Sequence, residues 1–171
     1  MQGVRGSILL VALVFGVLLA QSVFSRVLAP YPFAPYLGLP LVFALGTGPG
    51  VKVVRGAATA FVIGYLYDFF TGNPLGIHTF VFVVGFLVAW LIGYLASFRG
   101  IPFEMTLTFF LTLLLGGLLE LVRSFTPGGM SWGGLPLTLA LFGSAFATAI
   151  VAPLLFAIAR RVDPATERAP A

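Results

Sequence analysis

Residues 51–97 read VKVVRGAATAFVIGYLYDFF, then TGNP, then LGIHTFVFVVGFLVAWLIGYLAS. Two apolar runs of about helix-spanning length are joined by Thr71-Gly-Asn-Pro74, a turn by composition. The first run carries Lys52 and Arg55 in its opening turn and Asp68 near its end, and the second carries no charge beyond a protonated His78. A pair of such runs around so short a turn reads as a helical hairpin crossing a bilayer, because only a helix satisfies its own backbone in lipid.

The rest of the chain repeats this pattern. Residues 7–28 form a first span, with Gln21, Ser22, Ser25 and Arg26 near its end. Three prolines in 29–35 break it by withholding backbone donors. Residues 36–47 are apolar but short. Twelve helical residues rise only about 18 Å, against a hydrocarbon core of about 30 Å. This second segment therefore either borrows from its proline-rich flank or sits inside a bundle whose other helices fill the depth. A fifth span covers about 103–122, a glycine-rich outer loop with Trp132 as interfacial anchor covers 126–134, and a sixth span covers 135–159. The expected fold is an all-α bundle of six transmembrane helices with a short second helix: one membrane domain over 1–159 and a polar cytoplasmic tail over 160–171.

Composition excludes the soluble alternatives. Of 171 residues, 60% are hydrophobic and 8% charged, too few charges to cover a water-soluble surface. The same sparseness prevents a basic face for nucleic acid, despite a net charge of +4. Without cysteine there is no disulfide, thiolate metal site or thiol nucleophile. Cationic residues sort by side: Arg5, Lys52, Arg55, Arg99, Arg160, Arg161 and Arg168 fall on one side of a six-span layout, and Arg26 and Arg123 on the other. The positive-inside rule then places both termini in the cytoplasm. The first span is longer than a signal-peptide core and lacks a clear small-residue cleavage site, so it reads as a membrane helix.

Two stripes of small residues stand out. Gly56, Ala60 and Gly64 recur every four residues on the third span, and Gly85, Ala89 and Gly93 do so on the fourth. Small residues on one face let helix backbones approach closely in lipid. The stripes read as packing of the third span against the fourth, or as contact with a partner's helix. Five ionisable groups, Arg26, Asp68, His78, Glu120 and Arg123, fall near the outer membrane level, with Glu120 and Arg123 spaced to pair on one helix face. They read as locally neutralised, snorkelling side chains or as a cluster holding a partner or ligand. No Walker loop, HExxH or GxSxG is present, and a lone His without Cys makes a poor zinc site, so no catalytic residue, metal or cofactor is expected.

The stretch Gly64-Tyr-Leu-Tyr-Asp68-Phe-Phe-Thr-Gly72-Asn-Pro74-Leu75-Gly76 resembles the signature of the MreD family, bacterial rod shape-determining integral membrane proteins. Leu18-Leu-Ala-Gln21 and Pro35 agree more weakly with its first helix and the approach to its second. Motif agreement covers about residues 56–80; layout agreement covers nearly the whole chain. The resemblance implies a non-enzymatic scaffold of the cell-elongation machinery in the bacterial inner membrane, regulating peptidoglycan synthesis. Its partners would be an MreC-like single-span protein, an MreB-like filament and a RodA–class B transpeptidase complex. It also implies a fold similar to the substrate-binding components of ECF vitamin transporters, which supplies the rival function. In this reading Asp68 organises the helix end by accepting donors from 71–76. Gly72 and Gly76 permit the turn, and Pro74 sets the start of the next helix before Leu75.

Overall fold

The computed structural model describes residues 2–27, 36–71, 76–95, 100–125 and 135–163, and every regular element among them is helical. The elements are α1 (Gln2–Val27), α2 (Gly38–Thr47), α3 (Val53–Thr71), α4 (Ile77–Leu95), α5 (Ile101–Ser124) and α6 (Leu135–Val162). Four of them contain stretches long and apolar enough to cross a membrane: Val53–Thr71, Ile77–Leu95, Ile101–Val122 and Thr138–Val162. α1 is 26 residues long, with an apolar described stretch at Ile8–Leu19. The prolines of 29–35, the turn residues 72–75, the outer loop 126–134 and the tail 164–171 lie outside the described residues.

The bundle is apolar outside as well as inside. Phe61, Tyr65 and Phe69 on α3, Leu87, Leu91 and Tyr94 on α4, and Phe142, Phe146, Ile150 and Leu154 on α6 are all exposed. These residues recur at helical spacing on the outward faces, the pattern expected where the surrounding solvent is hydrocarbon. Most of the buried polar groups, by contrast, lie within or between helices.

α2 is the centre of the fold. It has 10 residues, so it is about 15 Å long. Of its residues, all but Thr47 are buried. Of the two arrangements open to a segment this short, the described residues adopt the second: α2 sits within the bundle and longer helices surround it. It runs parallel to α4, since Gly38 lies beside Phe82, Gly46 beside Ala89, and Thr47 beside Gly93. Its first turn therefore lies more than a turn along α4 from the N-terminal end of that helix. There the Tyr36 amide donates to Thr148 Oγ1, 3.0 Å away near the middle of α6.

The glycine stripes are spent differently from the expected pairing of third span on fourth. The α3 stripe does meet α4: a Cβ on Gly64 would lie 2.5 Å from Thr79 Cα, and one on Gly56 would strike the Phe86 ring. The α4 stripe, however, faces α2 and α5. A Cβ on Gly85 would meet Leu115 and Phe43, Ala89 packs on Gly46, and a Cβ on Gly93 would lie 2.9 Å from Thr47 Cα. The physical reason is that α2 needs a groove narrow enough to hold its backbone, and the small residues of α4 present one beside the face that meets α3, with Phe82 and Phe86 touching both neighbours. The sixth helix also runs past the expected end at 159, to Val162, and Asp163 beyond it is buried.

Candidate functional site

Asp68 is almost wholly buried at the end of α3. Gly64, one turn earlier, lets the backbone of Thr79 approach, which brings the first turn of α4 under the Asp68 carboxylate. The amides at the start of a helix have no intrahelical acceptors. Here the preceding helix supplies them. Oδ1 accepts the His78 amide at 2.8 Å and lies 2.9 Å from His78 Nδ1. Oδ2 accepts the Gly76 amide at 2.9 Å, the Thr79 amide at 3.1 Å and the Thr79 hydroxyl at 2.7 Å. Gly76 has φ +107°, a left-handed conformation in which glycine avoids the Cβ penalty. Tyr67 stacks at a tilt on His78 and Phe82, with centroids 5.5 and 5.0 Å apart, and Gly38 of α2 fits against the same two rings, Tyr67 and Phe82.

This is an N-cap made in trans, with a negative charge at the positive end of the α4 dipole. It also decides what Asp68 can do. A carboxylate offers about four lone-pair sites, and five donors already converge on this one. Its accepting capacity is used in fastening the hairpin, which leaves it poorly placed to act as a base or a metal ligand. The donors differ in part from the expected 71–76 set: Gly76 is among them, and His78 and Thr79 lie inside α4. Gly72, Pro74 and Leu75 lie outside the described residues.

Of the outer polar group, the structure joins Asp68 to His78. Glu120 is half-buried on α5, which makes no close backbone approach to α3 among the described residues. The side chains of Arg26 and Arg123 lie outside the described residues. Among the described residues no three His, Asp or Glu side chains converge as metal ligands.

The opposite end of the bundle holds a second polar centre that the sequence reading passed over. Arg55, at the start of α3, pairs with Asp163 beyond α6, and Arg160 on α6 pairs with Glu104 in the first turn of α5. Asp163 and Glu104 are both buried. α1 joins at Gly6, where a Cβ would lie 2.6 Å from Asp163 Oδ1. Four helices are thus tied at one level. A signal was present: Glu104 opens a span on the membrane side where Arg160 and Arg161 close another, so opposite charges meet at one interface.

No family model, curated protein or solved structure matches this chain.

Proposed function

We propose that this chain is a non-enzymatic membrane scaffold of the bacterial cell-elongation machinery, an MreD-like rod-shape determinant. In this reading it crosses the inner membrane six times with both termini in the cytoplasm. The observation that carries the proposal is the part played by the motif residues. Gly64, Asp68 and Gly76, which carry the resemblance, are the residues that draw α3 onto α4 and close the hairpin. A motif spent on fastening helices suits a protein whose product is a shaped surface. The described connection between α2 and α3 is short, so recognition falls largely to the lipid-facing helices. There, packing and a few polar contacts carry association, because lipid already satisfies apolar surface. The partner is an MreC-like single-span protein, with an MreB-like filament and a RodA–class B transpeptidase complex in the same assembly.

Photo-cross-linkers placed at exposed Tyr65, Phe69 and Tyr94 test this in membranes. Capture of the transmembrane segment of an MreC-like protein, together with rounding of rod-shaped cells on depletion, is the expected result. Capture only of that partner's soluble domain refutes the intramembrane interface. ATP-driven vitamin uptake by the reconstituted chain with an energising module replaces the scaffold by the transporter reading. A C-terminal reporter is expected in the cytoplasm and one near Gly128 outside; a C-terminus outside removes the six-span layout.

A further inference from the structure

α5 carries a line of buried polar side chains along one face: Glu104, Thr108 and Thr112, each four residues from the next. Hydroxyls elsewhere in the bundle turn back to a carbonyl one turn earlier, as Thr47, Thr59, Thr71, Ser144 and Thr148 do. Thr108 and Thr112 do not. Their hydroxyls, and Glu104 Oε2, are buried without a hydrogen-bond partner. The line faces α6 at both ends: Glu104 is held by Arg160, and a Cβ on Gly116, the next residue along it, would touch Leu141. The stretch of α6 between those contacts is rich in small buried residues, Ser144, Ala145, Thr148, Ala149 and Ala152. It also contains Pro153, which has no N–H to offer the Ala149 carbonyl. Three side-chain oxygens without partners, Glu104 Oε2 and the Thr108 and Thr112 hydroxyls, therefore lie along the face of α5 whose two ends meet α6.

A dry seam of this kind is costly, since a buried polar group without a partner loses its hydration uncompensated. The spacing shows what relieves it. Residues four apart on a helix are about 6 Å apart along its axis. Two O–H···O bonds meeting at the near-tetrahedral angle of a water oxygen span about 4.5 Å, and a third extends the reach to about 7 Å, so one or two water molecules match the gap between successive oxygens. A metal ion would need its ligands to converge, and these are strung out in a row. We propose that the α5–α6 seam binds a file of water molecules, running from Glu104 past Thr108 to Thr112 and hydrating the bundle from its Arg160 end toward its middle. The file stops at Gly116, where α5 closes against Leu141, so it is a blind inlet and no channel. This inference stands independently of the scaffold proposal.

Radiolytic hydroxyl-radical footprinting of the purified chain in lipid nanodiscs, read by mass spectrometry, tests it. Bound water generates radicals in place, so buried Leu111, next to Thr112, and Phe156, one turn before Arg160 on α6, should be labelled several-fold more than Leu41 and Leu45 in the α2 core. Equal labelling of the two pairs overturns the proposal. In Thr108→Val/Thr112→Val the excess labelling should disappear; its persistence overturns the placement on these hydroxyls. Melting gives a second reading. Water-bridged hydroxyls make the double valine variant less stable than wild type while Thr108→Ser/Thr112→Ser stays close to it. A valine variant as stable as wild type, or more so, shows the seam to be dry.

Discussion

Replacing Asp68 with leucine removes both oxygens while keeping the branched side-chain skeleton, each methyl being bulkier than the oxygen it replaces. Three backbone amides and the Thr79 hydroxyl lose their acceptor at once. Gly76 is exposed and rehydrates, and the Thr79 hydroxyl can rotate. The amides of His78 and Thr79 are buried and have no replacement. At about 1–3 kcal/mol for each unmet buried group, the variant loses about 4 kcal/mol. Asp68→Asn keeps one oxygen. With its NH2 turned to His78, whose ring can accept in the other tautomer, the remaining oxygen still serves Gly76 and Thr79. Only the His78 amide is then orphaned, a loss of about 2 kcal/mol. For a chain of this length each kcal/mol lowers the melting midpoint by roughly 2–4 °C. Thermal unfolding in detergent, followed by tryptophan fluorescence, should place Asp68→Leu more than about 8 °C below wild type and Asp68→Asn about halfway between. A leucine variant with the wild-type midpoint refutes the fastening role. An asparagine variant as damaged as the leucine one shows that charge, and not the set of hydrogen bonds, holds the hairpin.

The glycines divide by what they touch. Gly64→Ala drives a Cβ to 2.5 Å from the Thr79 backbone and should cost about 1–3 kcal/mol, whereas Gly85→Ala meets the end of the Leu115 side chain, which can yield, and should cost less than Gly64→Ala; midpoints in the reverse order refute this packing. Gly117, inside α5, has open space around its missing Cβ, so Gly117→Ala should stabilise by about 0.5–1 kcal/mol in the same melt. Asp163→Ala strands Arg55 at the start of α3 and should destabilise the bundle by about 2–4 kcal/mol, with protease sensitivity appearing first at the C-terminal end of α6. A variant with unchanged stability and protection refutes a structural role for that pair.

Much of the fold is legible in the residues. Long apolar runs punctuated by glycine and proline fix the helices, because a backbone in lipid has few ways to satisfy its donors. The brevity of α2 follows from the prolines before it and the glycines after it, and its shortness already excludes an independent crossing. Asp68 announces itself by its cost: a carboxylate near a span's end, one turn after a glycine, requires donors. Tertiary structure alone decides which surfaces those features meet. Helical periodicity says that Gly85, Ala89 and Gly93 share a face, yet it says nothing of which helix fills it, and α2 occupies the place expected for α3. Glu104 and Asp163 are charges at or just beyond helix ends, and only the packing of α5, α6 and α3 buries each against an arginine. Thr108 and Thr112 are unremarkable in sequence, since a threonine on a helix normally satisfies itself on the preceding turn. Whether it does so depends on side-chain rotation and on the neighbouring helix. Both are set by packing between residues far apart along the chain.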